Sequence, residues 1–358
     1  MRSLAHVEEI RAVHPIEGKD KIVLAEVLGW TVIVQKEQMT TGDKVVYVEI
    51  DSVLPEREEF EFLRSKNFRI KTMKMAGCLS QGICFPLSIL PEGEYNVGDD
   101  VTEILGIKQF EETMDVEPTV RTPKDTKRYP KFLMRMAWFR KFVLSKKQAK
   151  GFPDFISKTD ETRIENAPFY LEDKSPMIAT EKIDGQSGTF FLRKIKGKHF
   201  WNKDAYDFGV CSRNLRIWKE DGSSYWTVAK MYGIKNILQQ IIGDNEFVGI
   251  QGECVGSGIQ KNKYHLDGYD LYVFNVIYPT GRIGSLEAKK IVEEYGMKFV
   301  PILATDYVLP DTIDELREYA HGKSALYDTL REGIVFRSQD GIKSFKCVDP
   351  KFLLKHAE

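Results

Sequence analysis

In the stretch TEKIDGQSGTFF, Lys182-Ile183-Asp184-Gly185 places a lysine among β-formers, with an acid and a glycine directly behind it. Side chains two residues apart share a face of a strand, so Lys182 and Asp184 are expected to point the same way. Gly185 allows the backbone to turn and a ligand to approach closely, and the stretch reads as the base of a hairpin. Such a lysine is either half of a structural ion pair or an activated amine. An amine nucleophile must be neutral, and at an ordinary pKa only about one lysine in two thousand is neutral at pH 7. Catalysis therefore requires desolvation or cationic neighbours. Taken in isolation, the four residues read more simply as an ion pair.

Further polar residues follow in otherwise apolar strands. Ser212-Arg213-Asn214 ends one strand with a guanidinium and an amide, which suit ribose hydroxyls or phosphates but equally a polar loop. Glu253 is a single carboxylate in the apolar run FVGIQGECVG, and an acid is rarely buried without a partner. Phe274, in LYVFNVI, could stack on a base, although a core phenylalanine is the simpler reading. Glu332 stands at the mouth of GIVFRS, and Lys346 lies in a final strand among apolar neighbours. In order, the set supplies a nucleophile, sugar and base contacts, carboxylates for a hard metal ion and a cation for phosphate. Magnesium keeps several waters and needs few protein carboxylates. No GxxxxGK[ST] phosphate loop is present, which excludes an ordinary P-loop ATPase.

These residues need rigid elements to hold them. Residues 1–108 read as short strands (IVLAEVLG, WTVIVQK, KVVYVEID, FRIKTMKMAG, QGICFPL) behind an alternating N-terminus, which suits a small closed barrel, most commonly of the oligonucleotide-binding (OB) kind, with an SH3-like barrel or a sandwich as alternatives. VGDDVTEILGI is expected to close this module as a last strand or turn. Residues 109–165 read as a linker with a basic amphipathic helix. From Arg121 to Lys150 there are eleven Lys/Arg against one acid, Asp125, interleaved with Phe132, Trp138, Phe139 and Phe142. This suits a solvated helix face or a surface for a phosphate backbone, and with less support a membrane-surface helix, since nothing else in the sequence suggests lipid. Within FISKTDETRIEN, Thr159 or Asp160 is expected to cap a short helix carrying Arg163 near its positive end. Residues 166–358 mix strands with helices at WTVAKMYGIKNILQQII, SLEAKKIVEEYG and TIDELREYAHG, without regular βαβ alternation. The expected class is α+β: an OB-like barrel, then a domain of antiparallel sheets with flanking helices.

Composition narrows the partners. With 52 Lys+Arg against 53 Asp+Glu, overall charge points to no polyanion, so local charge must decide. No apolar run approaches the roughly 18 residues of a membrane span, and no signal-peptide core is visible. The five cysteines form no CxxC pair and no metal-ligand spacing, which reads as reduced thiols in a cytoplasmic setting.

The ordered motifs resemble those of the covalent nucleotidyltransferases, the polynucleotide ligases and mRNA capping enzymes. Lys182-Ile183-Asp184-Gly185 is similar to their motif I, Ser212-Arg213-Asn214 to motif Ia, Gly252-Glu253 to motif III and Phe274 to motif IIIa. Glu332-Gly333-Ile334-Val335 resembles motif IV and Phe345-Lys346 motif V, although Val348 stands where motif V often has a second lysine. A barrel-like module ahead of the motifs, with only twelve residues after Lys346, is similar to the branch of ATP-dependent RNA ligases with an N-terminal OB module. The stretch from Phe155 to Asn166 resembles that branch too.

The resemblance implies ATP and Mg²⁺ or Mn²⁺ as cofactors. Lys182 would take AMP, pass it to a 5′-phosphate end, and a 3′-OH RNA end would then displace it, at a nick in an RNA-containing duplex. It further implies that Arg163 contacts terminal phosphates, and that Gly185, Arg213, Asn214 and Glu253 surround the nucleotide. Phe274 would stack on adenine, and Lys346 would contact the α-phosphate and keep Lys182 neutral. Asp184, Glu253 and Glu332 would hold the metal through water. The enzyme is expected to act as a monomer. A DNA ligase, a capping guanylyltransferase and an RNA-binding OB protein with an inactive transferase half remain as alternatives.

Overall fold

The computed structural model describes residues 3–110, 151–195 and 205–356. The expected basic helix between Arg121 and Lys150 lies outside the described residues. The N-terminal part is one curled antiparallel sheet of β1 (Ala5–Ile16), β2 (Lys19–Val27), β3 (Trp30–Gln35), β4 (Lys44–Val48) and β5 (Ile83–Pro86), in the order β3-β2-β1-β4-β5. The first half of β1 pairs with β4 and its second half with β2, and a register shift between Ile10 and Ala12 lets the strand bend from one partner to the other. Alternation in β4 buries Val46 and Val48 in one core and Val45 and Tyr47 in a second.

Of the strand or turn expected at VGDDVTEILGI, the structure has the turn, as a one-turn helix at Thr102–Leu105: Val101 and Leu105 are buried at helical spacing, and Gly106 (φ 70°) ends it. Another expectation fails here. Of FRIKTMKMAG only Met73–Met75 forms a strand, paired with Cys78–Ser80 across a tight turn at Ala76-Gly77, while Arg69 makes a single bridge to Val53.

The described residues of the rest of the chain build two sheets. The first has the order β6-β14-β13-β7-β12, from β6 (Thr162–Arg163), β7 (Met177–Lys182), β12 (Ile302–Tyr307), β13 (Gly333–Ser338) and β14 (Ser344–Val348). The second runs β9-β8-β10-β11, from β8 (Gln186–Ile195), β9 (Ala205–Cys211), β10 (Phe247–Gly256) and β11 (Tyr269–Tyr278), with the short strands Gly281–Arg282 and Lys298–Phe299 both pairing with β11. Five helices flank the sheets: α1 (Ser224–Met231), α2 (Ile234–Ile241), α3 (Ser285–Glu294), α4 (Ile313–Ala320) and α5 (Pro350–His356). A capping box of Thr312 and Glu315 starts α4 where the sequence placed it. The long helix expected at WTVAKMYGIKNILQQII is two, because Gly233 in the left-handed region (φ 61°) breaks it so that both halves bury apolar faces on the second sheet.

The expected hairpin at Lys182 is not one. Strand β7 ends at Lys182 in the first sheet and β8 starts at Gln186 in the second, so Ile183-Asp184-Gly185 carries the chain across the seam between the sheets. Arg163 is not on a helix: Thr162–Arg163 pairs in parallel with Phe345–Lys346, and this strand pairing takes the place of the expected helix.

The N-terminal sheet docks on the chain just ahead of β7. Trp30 Nε1 donates to Asn166 Oδ1 (2.6 Å), and Asn166 Nδ2 donates to Glu49 Oε1 (2.7 Å). Arg317 of α4 reaches the carbonyl of Gly29 (2.6 Å) and the buried Glu165 (3.1 Å).

Candidate active site

The seam between the two sheets opens into a cavity of about 500 Å³. Lys182 lies opposite Gly333 in the register of β7 and β13, so Glu332, one residue earlier, is brought against it. Lys182 Nζ donates to Glu332 Oε2 at 2.5 Å, and neither side chain is more than a quarter exposed. Glu253 comes from the facing sheet, where β10 sets it opposite Ser187. Gly185 fits because a Cβ there would meet Cys254 O at 2.4 Å and Glu253 Cγ at 2.9 Å. The crossing segment therefore lies on β10, and the glycine serves that close approach. Asp184 is fixed from both ends: its amide donates to Tyr264 Oη (2.7 Å), and its carboxylate pairs with Lys263.

Lys346 reaches the cavity from β14, with Nζ 3.6 Å from Asp160 Oδ1, and Asp160 also accepts from Arg213 Nη2 at 3.2 Å. Asn214 Oδ1 accepts from Lys158 Nζ at 3.4 Å. Phe274 on β11 lines the cavity, with the Arg337 guanidinium 5.8 Å from its ring centre. Arg337 itself is 2 % exposed and held by Glu161 at 3.1 Å. Asp51 and Arg69 of the N-terminal module, with Phe110 just after it, complete the wall, Arg69 being bonded to Asp51 (2.8 Å) and lying 3.4 Å over the Phe110 ring.

The structure thus brings Lys182, Asp184, Gly185, Arg213, Asn214, Glu253, Phe274, Glu332 and Lys346 around one cavity. Arg163 is not among its lining residues; its guanidinium lies 5.1 Å from the Trp30 ring, at the junction with the N-terminal module. Sequence reasoning gave Asp160 only a capping role and passed over Arg337 and Lys263. The first two had a signal, a charge within a quoted stretch and a lone arginine in an apolar strand. Lys263 lies in a loop and had none.

The electrostatics follow from burial and crowding of like charges. Burial pulls the Lys182 ammonium down, but Glu332, Glu253 and Asp184 outweigh it and hold the group above its ordinary value. Burial pushes Glu253 up to about 8; Lys182 opposes this, and Glu332 and Asp184 add to it. Lys346 is pulled down to about 8 by burial, against Asp160, with Lys182, Arg163 and Arg213 contributing in the same direction as burial. Among the described residues no three His, Cys, Asp or Glu converge closely enough to grip a metal directly. A buried carboxyl crowded by two other acids nonetheless suits a hydrated divalent cation, whose charge would relieve that repulsion.

This arrangement can offer a lysine nucleophile to an electrophile flanked by cations and carboxylates. A family described as RNA ligase matches residues 175–355, and an OB-fold domain matches residues 4–87. The chain belongs to the RNA ligase family. It is similar over 99% of its length to Naegleria gruberi RNA ligase with PPi, at 31% identity, 99% coverage of that chain and a TM-score of 0.75. Variants of the same Naegleria ligase resemble it equally. One holds ATP and Mn (30% identity, 100% of both chains, TM-score 0.75), and another AMP and Mn (31% identity, 99% of both chains, TM-score 0.76). No curated protein matches the chain by sequence. The RNA ligase match begins just before β7, so it takes in every strand of the two sheets except β6 and every residue of the cavity from Thr180 onward. Among the described residues of this RNA ligase, no helix is long and apolar enough to cross a membrane.

Proposed function

We propose that this RNA ligase is ATP-dependent and works through AMP carried on Lys182, joining a 3′-OH RNA end to a 5′-phosphate end at a nick. The observation that carries the reading is the position of Lys182, at the seam of the two sheets, with Glu332 at 2.5 Å and Glu253 and Lys346 on the walls of the same cavity. That the Naegleria structures hold ATP, AMP and PPi supports it, since these are the substrate and products of such a transfer.

In the first step Lys182 Nζ attacks the α-phosphorus. The N–P bond forms, the bond from the α-phosphorus to the bridging oxygen breaks, and pyrophosphate leaves. The ammonium must shed one proton before attack and a second as the phosphoramidate forms, and Glu332 is the nearest acceptor for the first. Arg213 and Lys346 place positive charge where the phosphate oxygens accumulate negative charge, an effect worth a few kcal/mol per group. Phe274 offers a face for adenine, and Asn214 a polar group for the sugar. A hydrated Mg²⁺ or Mn²⁺ beside Asp184, Glu253 and Glu332 would neutralise phosphate charge. The 5′-phosphate then attacks the AMP phosphorus as the N–P bond breaks, and the 3′-OH displaces AMP to form the phosphodiester. Arg163, outside the cavity, acts in this reading on the terminal phosphate of the incoming strand. The protein acts on the duplex as a monomer, with residues 1–108 as the nucleic-acid-binding module, 109–165 as linker and 166–358 as transferase.

The test is incubation with α-labelled ATP or GTP and magnesium, followed by denaturation. Label from ATP alone, stable to alkali, released by acid and absent from Lys182→Ala, is expected. No label on the wild type, or equal label on the variant, refutes the mechanism. Sealing of nicks with RNA or DNA on the 3′-OH side then reads substrate preference.

A further inference from the structure

The loop between β10 and β11 brings Lys263 against Asp184, a residue of the cavity wall, so that its ammonium pairs with the Asp184 carboxylate. The pair is largely shielded from water, with side chains 17% and 14% exposed. It is also fixed from behind. Lys263 Nζ lies 4.7 Å over the ring of Phe352 on α5, and the carbonyl of Leu354 on the same helix accepts from Lys74 of the N-terminal module at 3.3 Å. The loop is tightly specified, since Gln260, Lys261 and Asn262 all have positive φ and Tyr264, next to Lys263, receives the Asp184 amide. Of the three acids that would face a cation, Glu332 is paired with Lys182 and Asp184 with Lys263. Both pairings put a built-in positive charge beside an acid that would otherwise attract a metal.

We infer that Lys263 is a positioning residue that holds Asp184 in the metal-free enzyme and competes with the divalent cation for it, thereby setting the metal concentration the enzyme requires. The inference rests on the reading of Asp184, Glu253 and Glu332 as the cation-facing acids. A shielded ammonium repels a dication far more strongly than an exposed one does, because the intervening medium screens less. Removing it should tighten cation binding, and Lys263→Met removes the charge while keeping most of the stem packed on Phe352.

The experiment is Mn²⁺ titration of the nucleotide-free protein, read by the electron paramagnetic resonance of the free ion, on wild type, Lys263→Met and Lys263→Arg. Thermal unfolding establishes that each variant is folded. Lys263→Met should bind Mn²⁺ about tenfold more tightly, Lys263→Arg should bind it like wild type, and the Mn²⁺ concentration for half-maximal lysine labelling should fall in parallel. Unchanged or weaker Mn²⁺ binding by Lys263→Met overturns the inference. So does unchanged Mn²⁺ binding with a raised KM for ATP, which would make Lys263 a phosphate ligand. Should Lys263→Met fail to fold, Lys263→Gln carries the same expectation. If Glu253→Gln and Glu332→Gln leave Mn²⁺ binding untouched, the cation-facing reading itself fails, which is a separate result.

Discussion

Glu253→Gln is expected to make the protein more stable and inactive at once. In the folded protein the Glu253 carboxyl is held at about 8, against an ordinary 4.5, by burial and by the neighbouring Glu332 and Asp184. An acid whose pKa rises on folding takes up a proton between those two values, so its contribution to stability falls as pH rises from about 4.5 to 8. At ~1.4 kcal/mol per pH unit the ceiling is about 5 kcal/mol. Glu253 borders the cavity and keeps some contact with water, so about 2 kcal/mol is expected. Glutamine preserves the shape and can still accept from the Gly185 amide, but has no charge to desolvate. Calorimetry at several pH values on wild type and variant isolates this group, because other titrations cancel in the difference. The two should melt together near pH 5, and at pH 8.5 the variant should melt roughly 4–8 °C higher, while lysine labelling falls by ~10²–10³. A gap that does not change with pH, or a variant less stable than wild type at pH 8.5, refutes the assignment of a strained, charged Glu253.

Lys346, held at about 8, loses its charge as pH rises through that value, so the KM for ATP should climb between pH 7.5 and 9 in wild type and stay flat in Lys346→Met; parallel profiles exclude a charge role. Gly185→Ala should cost about 2 kcal/mol or more, read by thermal unfolding, because its Cβ would sit 2.4 Å from Cys254 O and push the crossing segment off β10. Trp30→Phe removes the donor to Asn166 and should cost about 1 kcal/mol at the junction of the two parts. It should slow nick sealing more than lysine labelling, and equal slowing of both would show that the junction supports the transferase alone.

The strands of both parts were legible because their apolar residues repeat at a period of two, and α4 because its capping box is a local signal. The errors came where a distant partner overrode a local preference. Thr162–Arg163 became a strand because Phe345–Lys346, far along the chain, presented an open edge. β12 was unread because it is an edge strand whose residues are half-exposed, leaving little alternation to see. The helical stretch after Ser224 broke at Gly233, a position whose cost depends on the sheet beneath it.

The sequence by itself determined the chemistry on offer: which residues are acids, cations and rings, and the order in which they come along the chain. That is local information, carried by residue type and spacing. What only the tertiary structure decided is which of them meet. Lys182 bonds to Glu332, 150 residues away, because β7 and β13 are neighbours in one sheet. Asp184 is claimed by Lys263, and Arg163 lies against Trp30 rather than in the cavity. Charge interactions depend on separation in space and on the water between the groups, and neither can be read from separation along the chain.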